Sequence, residues 1–295
     1  MKKLLFIISA IFLPFSSNAW EACGTDADGN TANCEYQIIN GTLTIRGVGN
    51  NGNIGNWWKG GWSENDFIQP WKNKGVTNVI IEDSIKDLGS MGFQGISSAN
   101  PIEIPASVST IGYSALRYVT APEIIIPNSV TSIEEGAFVD TYVEKINIPD
   151  SVVTISPWAF RRAYELKDIV IGDSVAFIDG ATFSGCGKLE SITIGENTVL
   201  SEAIFDWGVE ERSENLNNIK IYCTGNLAKC QENAGVFAQN VIPATTKKIN
   251  GVTYVYDKNG KLVTTSGHRT ERRIYTIDEA NAVAGPINRV SIKYR

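Results

Sequence analysis

The sequence predicts a β-rich solenoid, a right-handed stack of coils whose short strands line up as a parallel sheet. The first observation is a repeated segment that keeps the same residue types at fixed positions: "IIIPNSVTSIEEGAF" at 124–138, "INIPDSVVTISPWAF" at 146–160 and "IVIGDSVAFIDGATF" at 169–183. The second is the composition, in which 43% of the residues are hydrophobic and 20% are charged, so that the chain can bury a core. Repeats of about 20 to 50 residues are typical of stacked-coil proteins.

The period is measured from the second isoleucine of each "I-x-I" triplet. Successive triplets are 22 or 23 residues apart, with one final step of 27, and their anchors are Ile81, Ile104, Ile126, Ile148, Ile171, Ile194 and Ile221. Other apolar columns keep register two residues before each anchor and four, seven and twelve residues after it. A triplet alternates with period two, which predicts a short strand with both isoleucines inward. A single coil cannot bury its Ile and Phe residues, whereas stacked coils bury them against one another.

Proline and Asx residues predict where each strand ends. Pro105, Pro127 and Pro149 directly follow their anchors, and proline lacks the N–H group that a continuing ladder needs. An Asn or Asp stands next, as at Asn128 and Asp150, and these residues favour turns. We therefore expect each coil to turn directly after its strand.

The first nineteen residues have the three parts of a secretory signal peptide. "MKK" is cationic, "LLFIISAIFLPF" is apolar, and Ser17 and Ala19 stand at −3 and −1 of a cleavage site before Trp20. The apolar run of 12 residues is too short to span a bilayer, which needs about twenty. We expect export and a mature protein without a transmembrane segment, either secreted or held at the cell surface.

Five regions follow along the chain. They are a signal peptide at 1–19, an N-terminal β cap at 20–75, the repeats at 76–222, a C-terminal cap or transition at 223–247, and a hairpin with a β-α-β tail at 248–295. Asn40-Gly41 and Asn259-Gly260 are strong turn signals and predict one β-hairpin in each end region. Caps are needed because the end coils of a solenoid would otherwise expose their apolar residues.

Four tryptophans, Trp57, Trp58, Trp62 and Trp71, belong to the predicted N-terminal cap. We interpret them as the core of this cap. The alternative is an aromatic platform for glycans, because Trp57 and Trp58 lie in a glycine-rich segment.

The C-terminal segment 269–295 is basic in an acidic chain, with six Arg or Lys and three Asp or Glu. Thr276 and Glu279 form a capping box for a short helix, and Gly285-Pro286 ends it. We interpret the segment as a folded end with a solvated basic face. The alternative is a module that attaches the protein to the cell surface.

The five cysteines of an exported chain predict disulfides. Cys23 and Cys34 flank one short loop, and Cys223 and Cys230 flank another, so that we expect a local bond in each pair. Cys186 falls in a column of small or apolar residues, which predicts a buried free thiol that behaves as a small hydrophobe.

Three short motifs are weak candidates for chemistry. "GVGNNG" at 47–52 matches a dinucleotide-binding pattern, but no helix is predicted after it to hold a pyrophosphate. "DADGN" at 26–30 offers oxygens at Asp26 and Asp28; it departs from the EF-hand pattern later in the loop, which favours a polar turn and leaves calcium as the alternative. His268 is the one histidine, and no nucleophile motif accompanies it. We expect a protein without catalytic residues, cofactor or metal, and not an enzyme.

The pattern L-x-x-I-x-I-x-x-S-V-x-x-I-x-x-x-A-F-x-x-C, clearest at 166–186, resembles the BspA-like leucine-rich repeat of secreted and surface bacterial proteins. The resemblance covers about 76–222, and "CEYQIINGTLTIRGVG" followed by Pro70-Trp71 is similar to the segment that precedes such repeats. It implies a leucine-rich-repeat-like coil stack and a binding function, commonly adhesion or host interaction, without naming a ligand. Serine mostly replaces the asparagine of the usual repeat, at Ser84, Ser107, Ser129, Ser151 and Ser174. The resemblance implies that these side chains bond the backbone between coils.

The residue between the two inward isoleucines of each triplet points out of the sheet, and we predict that this outward ladder contacts a partner. The predicted contact residues are Glu103, Ile125, Asn147, Val170 and Thr193, with Ile80 and Lys220 at the two ends. Aliphatic residues on alternate rungs form a stripe where a solvated face would be polar, and exposed apolar patches mark interaction sites. The alternative is that β-branched residues simply suit a strand.

The function favoured by these observations is non-covalent binding of an extracellular protein or glycan, in adhesion or host interaction. The alternative is a passive structural surface protein that its basic tail attaches to the cell. Nucleic acid is a poor candidate partner, because the formal net charge is −6 and becomes more negative when two lysines leave with the signal peptide.

Overall fold

The computed structural model describes residues 19–60, 68–205, 219–249 and 252–266. The predicted signal peptide up to residue 18, Trp62 and the predicted basic tail with His268 lie outside the described residues. Export, attachment through the tail and the capping box of that tail therefore stay predictions.

Strands dominate the regular structure of the described residues. The N-terminal part contains β1 (Glu21–Ala22), β2 (Cys34–Ile39), β3 (Thr42–Gly47), β4 (Gly52–Asn53), β5 (Asn78–Ile81) and β6 (Ile85–Asp87). The repeats continue with β7 (Ile102–Glu103), β8 (Thr110–Ile111), β9 (Thr120–Ile125), β10 (Ser132–Ile133), β11 (Tyr142–Asn147), β12 (Thr154–Ile155), β13 (Asp168–Val170), β14 (Phe177–Ile178), β15 (Ser191–Ile194), β16 (Val199–Leu200) and β17 (Lys220–Cys223). The C-terminal part contains α1 (Leu227–Asn233), a 3-10 helix (Gly235–Asn240), β18 (Val241–Ile249), β19 (Val252–Asp257) and β20 (Leu262–Ser266).

The triplet strands of the repeats form one parallel sheet, as the period predicts. Its order is β20-β19-β18-β17-β15-β13-β11-β9-β7, and every neighbouring pair from β7 to β18 is parallel. Equivalent residues face each other in successive coils, as Ile146 faces Ile169. A second parallel sheet, β16-β14-β12-β10-β8, forms from the other strand of each repeat, and the sequence did not predict it.

Both predicted hairpins are present at the ends of the stack. Strands β2 and β3 are antiparallel around Asn40-Gly41, where both residues have positive φ, and β3 continues into the stack by pairing in parallel with β5. Strands β19 and β20 are antiparallel around Asn259-Gly260. Strand β18 was not predicted; it lies beside β17 and joins the second hairpin to the repeats.

The inward residues of all coils form one continuous apolar core. Ile146 and Ile169 are fully buried on the strand side. On the far side, Phe138, Phe160 and Phe183 stack from coil to coil with ring centroids 5.0 and 5.6 Å apart. Burial of one such side chain contributes about 1.5–3 kcal/mol to stability, and each coil supplies several.

The serine column links neighbouring coils, as the resemblance implied. The hydroxyls of Ser129 and Ser151 donate to the backbone carbonyls of Val108 and Val130, each at 2.7 Å. Ser107 makes the equivalent bond one coil earlier. These bonds satisfy carbonyl groups at the turns after the strands, where no sheet ladder does so.

Two tryptophans form the core of the N-terminal cap. Trp57 and Trp71 are each 2% exposed, with ring centroids 6.2 Å apart, and Trp71 stacks on Phe93 at 6.0 Å. The predicted Cys23–Cys34 disulfide is present and closes the first loop of the cap. The cap-core interpretation is confirmed for these two rings. The glycan-platform alternative is wrong for them, because rings buried in this way present no face to a ligand.

The second predicted disulfide, Cys223–Cys230, ties β17 to α1. The helix begins after Asn226, whose side-chain oxygen accepts a hydrogen bond from the N–H group of Lys229 at 3.1 Å. Neither helix among the described residues is long and apolar enough to cross a membrane.

Cys186 is a buried free thiol, as predicted. Its Sγ donates to the carbonyl of Phe160 at 3.0 Å. Burial raises the pKa of the Cys186 thiol to about 12, although backbone hydrogen bonds from Ala163 and Arg162 oppose the shift.

The serine column gives a first prediction. We expect Ser129→Ala and Ser151→Ala each to lower the free energy of unfolding by about 1 kcal/mol, because each leaves a coil-to-coil bond unmade. Ser174→Ala is the matched control, since Ser174 occupies the same column but is exposed and makes no hydroxyl bond to another described residue. Urea denaturation followed by circular dichroism measures the difference. Equal losses in all three variants would contradict the role.

The buried thiol gives a second prediction. The raised pKa of Cys186 makes the free energy of unfolding depend on pH. The contribution of the protonated thiol is complete below a pH of about 8.5, where the thiol of the unfolded chain is also protonated. It is lost as the pH rises toward 12. Iodoacetamide at pH 8 should therefore leave native Cys186 unmodified and alkylate it in urea. Mass spectrometry without reductant measures both states. Rapid alkylation of the native protein would show that the thiol is accessible.

Candidate binding surfaces

The outward ladder crosses neighbouring strands in the order that the repeat predicts as far as Thr193; its partner on β17 is Tyr222, and the predicted Lys220 faces Ser191 instead. Its five predicted contact residues occupy β7, β9, β11, β13 and β15, one to a strand. Glu103 pairs with Ile125, and Val170 faces Asn147 on one side and Thr193 on the other. The ladder therefore exists as a continuous line of side chains.

Exposure divides the ladder into two halves. Ile80 is 53% exposed, Glu103 is exposed and Ile125 is half-buried, and we call these three the open ladder. The three residues that follow along the stack are buried: Asn147 at 8%, Val170 at 6% and Thr193 at 1% exposed. The ladder was predicted to be exposed along its length, and these three residues are not. A contact between any ladder residue and a partner stays a prediction.

The C-terminal strands bury the second half of the ladder. Val170 and Tyr222 form a small apolar cluster with Ala244 of β18 and Val255 of β19, and Val263 of β20 packs against it. Strand β18 extends the sheet beyond β17, and the antiparallel β19 and β20 return across its outward face as far as β13. The repeat period could not predict this cover, because the covering segment lies outside the repeats.

The open ladder continues at both sides into polar surface. Thr44 of β3 pairs with Ile80, so that the same face extends into the N-terminal hairpin. Glu123 and Lys145 flank the ladder on the same face and form an ion pair of 2.9 Å. The open face is thus an apolar stripe with a charged rim.

A second surface, which the sequence analysis missed, lies at the turn two residues beyond the Phe column. Successive coils place Gly95, Tyr118, Asp140, Arg162 and Gly185 there, all with φ between 54° and 71°. This left-handed conformation suits Gly, Asn and Asp, and it carries a conformational cost at Tyr118 and Arg162. Because each of these five coils repeats it, the conformation belongs to the turn of the coil itself.

Asp140 holds this turn together through two arginines. Its carboxylate is 1% exposed and accepts hydrogen bonds from Arg117 Nε and Nη2 at 3.1 and 2.9 Å. Arg162 Nε lies 2.5 Å from the other carboxylate oxygen. The buried acid is therefore compensated from the coil before it and the coil after it.

Three tyrosines, which we call the tyrosine strip, lie beside this ion triad: Tyr118, Tyr142 and Tyr164. Tyr118 and Tyr142 are 38% and 43% exposed, and the rings of Tyr142 and Tyr164 lie 5.1 Å apart. The guanidinium of Arg117 stands 4.7 Å above the Tyr118 ring. Burial raises the pKa of Tyr164, and the nearby Arg162 opposes this shift. The signal in the sequence was the recurrence of tyrosine near one position of three successive repeats.

The two remaining motifs have structural roles. Asp26 is 8% exposed, its Oδ1 accepts the N–H groups of Asp28 and Asn30 at 3.0 and 2.9 Å, and its Oδ2 accepts that of Asn56 at 3.1 Å. These bonds make the polar turn that was expected. Among the residues with described positions, no group of three or more His, Cys, Asp or Glu is arranged to hold a metal ion. The "GVGNNG" segment leads directly into β4 and not into a helix.

Comparisons with known proteins agree with this architecture. A family model described as BspA type leucine rich repeat region matches residues 70–186 and 131–251, with six copies of the repeat. A search of curated proteins found no match.

Similar solved structures are bacterial. A leucine-rich repeat protein from Bacteroides ovatus is 22% identical, with 68% of this chain and 56% of that chain covered and a TM-score of 0.43. A leucine rich cell surface protein from Faecalibacterium prausnitzii is 17% identical, with 58% of this chain and 71% of that chain covered and a TM-score of 0.29. The chain thus spans about half the length of the first of these proteins.

The buried carboxylate gives a third prediction. We expect Asp140→Asn to lower the free energy of unfolding by about 2–3 kcal/mol, because it removes the buried negative charge that Arg117 and Arg162 both contact. Asparagine tolerates the left-handed backbone, so that the loss reports the change of side chain and not backbone strain. Glu135→Gln is the control, as Glu135 is an exposed acid of the same coil. Thermal and urea unfolding measure the loss, and a stable Asn variant would show that the triad contributes little.

Proposed function

The chain belongs to the BspA type leucine-rich repeat family, and from this membership and the open ladder we propose that the protein binds another protein outside the cell. The proposal includes export, a place in the medium or on the cell surface, and a role in adhesion or host interaction. It also holds that the protein acts by binding and is not an enzyme.

The proposal rests on the difference between the two halves of the ladder, one covered and one open. One half of it binds β-strands of the same chain, because Val170 and Tyr222 are buried against β18 and β19. The other half presents similar chemistry without a cover among the described residues, and Ile80 is 53% exposed there. The face is therefore suited to dock an apolar strand or loop of a partner.

The size of the face favours a protein partner. Adjacent strands lie about 4.8 Å apart, so that the three rungs of the open ladder form only a narrow apolar strip, too small to be a specific interface by itself. A specific interface buries about 800 Å² on each side, which requires the partner to reach the charged rim at Glu123 and Lys145 as well. An apolar centre inside a polar rim is the usual arrangement of protein interfaces.

The fourth prediction tests this face. Saturable binding to at least one member of a panel of purified matrix and mucin proteins should fall about tenfold or more in the double variant Ile80→Asp, Ile125→Asp, because two charges are placed in the apolar centre. Val153→Asp is the matched control, since Val153 is 56% exposed beside the second sheet. Surface plasmon resonance measures affinity, and circular dichroism checks the fold.

Two outcomes would contradict the proposal. If no member of the panel binds saturably, the protein is better described as a passive surface component. If a member binds and the double variant retains full affinity with an unchanged spectrum, the open ladder is not the binding face.

A further inference from the structure

Strand β20 stands at the end of the strand order of the main sheet, so that no described strand pairs with one of its edges. An open edge presents unpaired N–H and C=O groups, and native proteins protect such edges with charged residues or proline. The strand reads Leu-Val-Thr-Thr-Ser and contains neither. A register shift beside Val255 and Tyr256 is the irregularity in its pairing with β19. The edge is therefore suited to receive another strand.

The free edge of β20 points along the stack toward the open ladder. Strand β18 lies beside β17, whereas β20 contacts β13, so that the order from β18 to β20 runs toward the N-terminal coils. A further strand beside β20 would continue in this direction, over β11 and β9. The outward residue of β9 is the half-buried Ile125. The added strand would therefore cover one apolar rung of the open ladder.

The outer face of the C-terminal hairpin is also apolar. Val255 of β19 packs inward, which places its neighbours Tyr254 and Tyr256 on the opposite side of the strand. Tyr256 pairs with Leu262 of β20, which is 46% exposed. The solvated face of an antiparallel sheet is usually polar. This outer face is thus suited to the apolar side of a helix.

The chain continues from β20 with the two elements that these surfaces require. The sequence predicts a short helix between Thr276 and Gly285 and then a strand at 288–295, and both lie outside the described residues. We call residues 288–295 the tail strand. In it, Val290, Ile292 and Tyr294 alternate with polar or basic residues, which is typical of a strand that is covered on one face.

The connection has the length that a parallel neighbour requires. Residues 267–287 stand between β20 and the tail strand, and parallel strands need a crossover of about a dozen residues or more, usually a helix. The inner face of the hairpin is already packed against the stack. A crossover helix would therefore lie on the outer face, and the tail strand would pair in parallel with the free edge of β20.

Charge favours the same arrangement. Segment 269–295 has a formal charge of +3, which leaves −9 of the net −6 for residues 1–268. On β11, next to the rung that the tail strand would reach, Glu144 is exposed and pairs with no other described residue. Opposite charge attracts the basic segment to the acidic body of the protein.

We propose that the tail strand adds to β20 as a parallel fourth strand of the C-terminal unit and covers Ile125. Val290, Ile292 and Tyr294 lie against the stack, and the predicted helix covers the outer face of the hairpin. A partner that uses the whole open ladder must displace the tail strand, so that the tail limits access to the binding face. This last step rests on the proposed function.

The tail strand fits the edge better than a second copy of the chain. It is tethered to β20, and a tether of this kind gives an effective concentration of the order of millimolar. A second copy that paired through its own β20 would offer 5 residues and would leave the alternating tail unused.

The test compares the unchanged full-length protein with the tail variant Val290→Asp, Ile292→Asp, in which the covering face is charged. A fluorescein-labelled peptide of residues 286–295 should bind the tail variant saturably. It should bind the unchanged protein at least tenfold more weakly, because the tethered strand already occupies the edge. Ser291→Asp, Lys293→Gln is the matched control, since it changes the net charge equally but on the opposite face, and it should behave as the unchanged protein. Fluorescence anisotropy measures the affinities.

Hydrogen exchange measures the state of the edge itself. The backbone amides of 262–266 should exchange about tenfold faster in the tail variant than in the unchanged protein or the control, because strand pairing protects them. Mass spectrometry of the peptides that contain β20 measures the rates. The same experiment at two protein concentrations separates a tethered strand from a second copy.

One further substitution tests whether the ladder is covered. Ile125→Asp, added to the tail variant, should weaken peptide binding about fivefold or more, since a charge replaces the apolar rung beneath the strand. Val153→Asp in the same background is the matched control, because Val153 is 56% exposed beside the second sheet.

Adverse results overturn separate parts of the arrangement. Equal exchange of β20 in the tail variant, absence of peptide binding to it, or equal peptide affinity for the unchanged protein would each overturn docking of the tail. Protection of β20 that is lost on dilution would replace the tail by a second copy. Full peptide affinity in the presence of Ile125→Asp would remove the ladder from the docking site.

The effect on partner binding is measured separately. A member of the matrix and mucin panel that uses the open ladder should bind the tail variant about fivefold more tightly than the unchanged protein. Equal affinity would show that the tail does not limit access. A panel without a binder would contradict the proposed function, while the peptide and exchange results would still decide whether the tail docks.

Discussion

No coil of this protein can bury its own apolar residues, and the rest of the structure depends on that constraint. Each coil has Ile residues on one side and a Phe or Leu on the other, and both become buried only against the neighbouring coils, as the Phe138, Phe160 and Phe183 stack shows. Stability therefore comes from contacts between nearest neighbours. The same constraint explains the two caps, since the first and last coils each lack one neighbour.

Stacking also creates both candidate surfaces. Because each coil repeats the one before it, any outward position becomes a line of side chains at a constant step. The outward position of the triplet gives the ladder, and the turn beyond the Phe column gives Tyr118, Asp140 and Arg162 in three successive coils. The inward positions are fixed by packing, whereas these lines are free to vary. In such a fold, the outward residues that differ from coil to coil determine what the surface can bind.

The features that recur with the repeat, or that short local motifs specify, could be predicted from the sequence. The contacts made where the C-terminal strands fold back over the stack could not. The coils, the parallel sheet, both hairpins and both disulfides followed from Ile, Pro, Asn-Gly and Cys at regular or paired positions. The burial of Val170 and Thr193 did not, because their neighbours β19 and β20 are distant in sequence and have no repeat of their own. The three tyrosines were visible in the sequence, but the contacts between their rings and the ion triad were not, because the residues at this turn differ from coil to coil.

The C-terminal hairpin reaches back along the stack at least as far as β13. Its reach is set by the length of β18 to β20, and it does not depend on how many coils precede it. Insertion of a coil before β13 would therefore add one open rung and leave the shielded ones unchanged. The hairpin therefore covers a constant length at one end of a stack whose number of coils can vary. Gain or loss of whole repeats in evolution would change the length of the open face in single steps, without rebuilding either end.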